Sequence, residues 1–179
     1  MGEISMRKEL IGLQQAEDYI RNQNLKEAIE ILKKLAIKNA ENGRIAFDLG
    51  TIALLQEEEE IAIKYFEKAM EKKYFAYDIY INMAEAQNRK GCLLVAENNY
   101  KEAIKRANDI EEKWMALTLY VTFCIHHHMY LKAEKIVEQL IKEYPNNYEG
   151  YHLFYLILLG RKQFLKAEKY LNQIENKFC

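Results

Sequence analysis

The sequence predicts an all-α fold built from repeated pairs of helices, and three observations carry that prediction. Glycine (7) and proline (1) are scarce among 179 residues. The abundant Lys, Glu, Ala, Leu and Ile are mostly good helix formers, and there are too few turn residues for a strand-rich fold. Five segments align: LKEAIEILKKL, EIAIKYFEKAM, VAENNYKEAIK, LKAEKIVEQLI and LKAEKYLNQIE. Their central alanines are Ala28, Ala62, Ala96, Ala133 and Ala167, so the gaps are 34, 34, 37 and 34 residues. Around each alanine the apolar residues fall at helical spacing.

The second helix of each pair follows from the alanine itself. Four residues after it stand Leu32, Phe66, Tyr100, Val137 and Leu171; seven after it stand Leu35, Ala69, Ala103, Leu140 and Ile174. Offsets of 0, 4 and 7 make one helix face. The first helix lies upstream. Twelve before each alanine are Ala16, Gly50, Ala84, Val121 and Tyr155, and sixteen before are Gly12, Ala46, Tyr80, Leu117 and Tyr151. The small residues at the anchor, and twelve before it in the first three units, let two backbones approach closely. Units run over about 9–42, 43–76, 77–110, 114–147 and 148–179, a single array over 1–179. The three extra residues near Asp109–Glu111 predict a local change of stacking at the unit three–four junction. No Pro/Gly/Ser-rich linker marks a domain boundary there.

Period and pattern together resemble the tetratricopeptide repeat (TPR), a helix–turn–helix unit of 34 residues. Unit two matches best, with Leu49-Gly50, Ala62, Phe66 and Ala69, and unit four carries the family's closing proline as Pro145. The turn glycine five before the anchor survives only as Gly91; Gln23, Glu57, His128 and Lys162 replace it elsewhere. The resemblance implies a right-handed superhelical α-solenoid of antiparallel helix pairs, with the first helices lining a concave groove. It places groove residues at fixed distances before each anchor. Fifteen before are Leu13, Phe47, Ile81, Thr118 and His152; eleven before include Glu17, Thr51, Glu85 and Thr122; seven before include Arg21, Arg89 and His126. This mixed surface suits an extended or helical peptide with some apolar side chains. Aspartate at both Phe47 and Ile81 is expected to abolish capture and leave helicity intact. The carboxylate clamp known in this family needs cations in slots that here read Leu13 and Glu17, or Phe47 and Thr51, followed by Asp48, Asp78 and Asn82. A chaperone-tail clamp is therefore not expected.

Charge and composition exclude other classes. Lys plus Arg (26) balances Asp plus Glu (27), so nothing draws the whole chain to a phosphate backbone, and RNA binding ranks third. Cys92, Cys124 and Cys179 have no zinc or redox spacing, and the start MGEISMRKELIGL has no signal-peptide core, so a cytoplasmic location is expected. Tyr151–Gly160, the most apolar stretch, is about half of the roughly 20 residues a membrane span needs. Ser5 is the only serine, and no phosphate loop or catalytic motif occurs. Glu57–Glu60 reads as a solvated helix start.

One segment, CIHHHMYLKAEKIV, gathers Cys124, His126, His127 and His128. The repeat register faces Cys124 to the core, sets His126 near the groove edge and puts His127 and His128 in the turn. Consecutive histidines on a helix point apart, so no metal site and no cofactor is expected. The apolar positions Phe164, Leu165, Tyr170, Leu171, Ile174 and Phe178 of the last helix predict an open patch, fit for a second copy or a partner. The sequence thus predicts a non-enzymatic protein-interaction scaffold. The alternative is a regulatory or targeting module of a larger enzyme.

Overall fold

The structure, a computed structural model, describes residues 2–178, with side chains from Met6 onward. Cys179 and the side chain of Ser5 lie outside the described residues. Helices follow one another with short turns: α1 Gly2–Arg21, α2 Leu25–Lys38, α3 Gly43–Leu55, α4 Glu59–Glu71, α5 Tyr77–Arg89, α6 Leu93–Arg106, α7 Ile110–His126, α8 Tyr130–Glu143, α9 Tyr148–Gly160 and α10 Phe164–Phe178. These are the five predicted pairs, and no strand occurs among the described residues. The first helices of three pairs begin with side-chain caps: Asn42, Asp109 and Asn147 accept the backbone N–H of Arg44, Glu112 and Glu149.

The turn inside each pair has one repeated geometry. Gln23, Glu57, Gly91, His128 and Lys162 all have φ between 57° and 76°. Each donates its N–H three residues back, to Ile20, Leu54, Asn88, Ile125 and Leu159, and the next residue donates five back, to Tyr19, Ala53, Gln87, Cys124 and Leu158. This double bond pattern closes a helix on a left-handed residue. Four non-glycine residues therefore hold a conformation that glycine adopts at no steric cost. The three extra residues become part of an additional helical turn: α7 has 17 residues where α3, α5 and α9 have 13.

Contacts divide the chain into two compact units that meet in sequence at Asn99 and Tyr100, inside α6. In the first unit α1, α3 and α5 touch in succession, and α2 and α4 pack beside them. Leu32, Ile52, Phe66 and Ile79 are fully buried there, with Ala16, Ala28, Ala62 and Ala84. Gly50 shows why a small residue stands twelve before the anchor, since a Cβ there would lie 2.6 Å from Phe66 Cε1. In the second unit α7 and α9 touch, α8 packs on both, and α10 packs on α9. Val121, Cys124, Val137, Leu140 and Ile157 are buried, and Tyr100 packs on Tyr120 and Phe123 with ring centroids 5.9 and 5.1 Å apart.

The patch expected on the last helix is smaller than the sequence implied. Ile174 is buried, Tyr170 packs on Tyr151 and Phe154, and Phe178 packs on Tyr148 and Tyr151. The aromatics of α9 take up most of that face, leaving Phe164 and Leu165 in solvent. No helix among the described residues is long and apolar enough to cross a membrane.

Candidate groove on the first helices

The first unit presents the inner face of α1, α3 and α5. Between α1 and α3 lies a depression of about 140 Å³, lined by Glu17, Ile20, Arg21, Arg44, Phe47, Asp48 and Thr51. Four of these, Glu17, Arg21, Phe47 and Thr51, are positions the repeat register had selected. The face continues onto α5. Thr51 Oγ donates to the Phe47 carbonyl (3.1 Å) and accepts from Asn82 Nδ2 (3.0 Å). Arg89 donates from Nε to Glu85 (2.8 Å) and from Nη1 to the Leu54 carbonyl (3.1 Å), tying α5 to α3. Ile81 is half-buried beside them.

A polar cluster lies in the floor and wall. Asn42 caps α3 and sets Arg44 in its first turn. Arg44 donates from Nη2 to Glu17 and from Nε to Asp48 Oδ1, the latter at 3.0 Å. Its guanidinium carbon lies 5.4 Å from the Phe47 ring centroid and 5.7 Å from that of Tyr74, within cation–π range. Tyr74 OH donates to Asp78 at 3.2 Å. Burial outweighs the attraction of Arg44 and pushes the Asp48 carboxyl up to about 6; burial likewise raises Asp78. Burial acting alone lowers Arg44, but Asp48, Tyr74 and Glu17 hold it above its ordinary value.

Phe47 is 6% exposed, its ring 5.1 Å from Tyr74 and 5.9 Å from Phe66. The expectation that Phe47→Asp leaves helicity intact is therefore corrected: a charge there enters the core. Leu13 is buried too, in a cluster with Ala16, Ala28, Leu32 and Ile45.

The same architecture occurs in solved structures. MamA gives a TM-score of 0.72 over 99% of this chain and 93% of its own, at 18% identity. PilF of Pseudomonas aeruginosa gives 0.77 over 94% and 76%, at 13% identity. YrrB, described as a TPR protein with an unusual peptide-binding site, gives 0.68 over 98% and 90%, at 14% identity. The fold is that of the tetratricopeptide repeat. No protein-family model and no curated protein matches the chain by sequence.

The remaining positions expected to line a groove belong to the second unit. Thr118 is buried, with no hydrogen bond to its Oγ. Thr122 is exposed and donates to the Thr118 carbonyl at 2.9 Å. His126 is exposed, and half-buried His152 stacks on Tyr148 at 5.9 Å. The histidine run separates only in part: the rings of His126 and His127 meet edge to face, with centroids 4.8 Å apart. Cys124 is buried, His127 rests on Phe123, and His128 Nδ1 bonds the Tyr130 hydroxyl at 2.7 Å. Among the described residues no three His, Cys, Asp or Glu side chains are placed to share a metal.

Sequence reasoning passed over Arg44 and Tyr74, and used Asp48 and Asp78 only to exclude a clamp. Arg44 and Asp78 stand eighteen before Ala62 and Ala96, and Asp48 and Asn82 fourteen before them. Offsets of 18, 14 and 11 fall on one helix face, so this polar stripe was visible in the register.

Asp48 has a consequence for stability. Its folded pKa lies above the unfolded carboxylate range, so the native state holds the proton more tightly than the unfolded chain. Its contribution is fully present below about pH 4 and is lost as pH rises through about 6. Urea melts of Asp48→Asn are expected to lose that part of the pH dependence. A profile equal to that of the wild type between pH 4 and 7 would show that Asp48 titrates normally.

Proposed function

We propose that the protein is a non-enzymatic scaffold of the cytosol that holds an extended or helical segment of a partner protein on the α1/α3/α5 face. One observation carries this reading: the depression between α1 and α3 joins apolar walls, Ile20 and Phe47, to a rim of Glu17, Arg21 and Thr51. Apolar walls with a few directed polar groups suit a peptide side chain and its backbone. YrrB, of the same fold, is described as having a peptide-binding site. RNA fits this face poorly, because Glu17, Asp48, Asp78 and Glu85 outnumber Arg21, Arg44 and Arg89.

Ile81 provides the test, being half-buried on α5 rather than in the buried core. Ile81→Asp is expected to abolish capture of the partner from native cell extract, with circular dichroism unchanged. Lys33→Glu, on the exposed side of α2, should capture as the wild type does. Equal capture by Ile81→Asp would place the interaction on another surface.

A further inference from the structure

We propose that the segment held on this face carries a lysine or arginine, whose cation is recognised by the carboxylates of Glu17, Asp48 and Asp78 beside Arg44. This rests on the groove reading above and adds the chemistry of its occupant.

Three carboxylates from three successive first helices feel the charge of one guanidinium, and two of them bond to it. Arg44 reaches Glu17 and one oxygen of Asp48, while Asp78 receives the neutral hydroxyl of Tyr74. Asp48 is 2% exposed, and its Oδ2 has no hydrogen-bond partner. A buried carboxylate oxygen left without a donor is costly, and natural structures rarely leave one. The raised Asp48 and Asp78 carboxyls agree, since the single arginine does not offset their burial. The site lacks positive charge, and a ligand ammonium or guanidinium would supply it.

The shape fits the same occupant. Ile20 and Phe47 border the depression, so the aliphatic stem of Lys or Arg lies on apolar surface while its head reaches the acids. About 140 Å³ holds one side-chain head, not a whole ligand. Asp48 lines this depression although its free oxygen is covered. Binding requires a side-chain rotation that uncovers this oxygen, and Arg44, whose side chain is 32% exposed, is the group the proposal moves. Two other arginines border the face. Arg89 is committed to Glu85 and the Leu54 carbonyl. Arg21 is exposed at the rim, where water and salt screen it more than they screen the buried acids.

The full chain, fluorescently labelled, is tested against an immobilised positional-scanning nonapeptide library, one fixed residue per position. Fixed Lys or Arg is expected to be enriched over Asp or Glu at one position. Asp48→Asn and Asp78→Asn should each reduce that preference on the order of tenfold, and Lys33→Glu, on the exposed side of α2, should leave it in place. Asp78 is only half-buried, so its variant decides the matter if Asp48→Asn does not fold. Binding without charge preference, enrichment of acidic residues, or an unchanged preference in the Asn variants would overturn this inference and leave the groove reading standing. No binding by any library member would overturn both.

Discussion

Phe66→Ala is expected to lower the unfolding free energy of the first unit by about 3–5 kcal/mol, at the upper end of large-to-small core changes. Phe66 lies on α4 without exposed surface, and its ring meets Phe47 at 5.9 Å. The cost depends on how far the surroundings can collapse into the space left. Here they can collapse little. Gly50 faces the ring with no side chain to move in, and Ala62 and Ala69 on the same face of α4 are already short and buried. Phe47 could swing inward only by leaving Tyr74 and uncovering Arg44. Domains of this size are stable by about 5–15 kcal/mol, so the loss is a large share of the total. Urea melts followed by circular dichroism measure it. A loss under about 1 kcal/mol, the range of surface substitutions, would mean that Phe66 is not enclosed as described.

The parts of this molecule legible in the sequence are those a period dictates. Ala28, Leu32, Ala62, Phe66, Ala133 and Val137 share one stripe because burial against a neighbouring helix recurs every 3.6 residues, and all six are buried. The exposure of the proposed groove residues was legible to a lesser degree, for a geometric reason. Positions fifteen and sixteen before an anchor differ by about 100° around the helix, and a large side chain at either can turn into the seam between helices. Leu13, Phe47 and Thr118 do so, whereas Glu17, Arg21 and Thr51 remain at the rim. The acid cluster was harder still to foresee. It needs Glu17, Asp48 and Asp78 from three helices and Tyr74 from the turn after α4, a position outside the helical stripes. Periodicity records which face a residue takes, not which residue of the next helix it meets.

Replacing Gln23, Glu57, His128 and Lys162 together by glycine is expected to stabilise the chain by about 2–4 kcal/mol. Each of these residues sits at φ between 57° and 61° in the turn of its pair. A left-handed backbone costs an L residue about 1–2 kcal/mol that glycine does not incur. Glycine in turn makes the unfolded chain more flexible, which takes back about 0.4–1 kcal/mol. The net gain is about 0.5–1 kcal/mol per site, and distant sites add. His128 should gain least, because glycine there loses the bond from Nδ1 to Tyr130. Gly91 calibrates the argument from the other side. A Cβ at Gly91 would have no heavy atom within 4 Å, so Gly91→Ala feels the backbone alone and should cost about what each glycine gains. Urea midpoints read both effects, provided the slope of the transition is unchanged. If the fourfold variant unfolds at lower urea than the wild type, these turns are not strained, and unfolded-chain entropy outweighs their left-handed geometry.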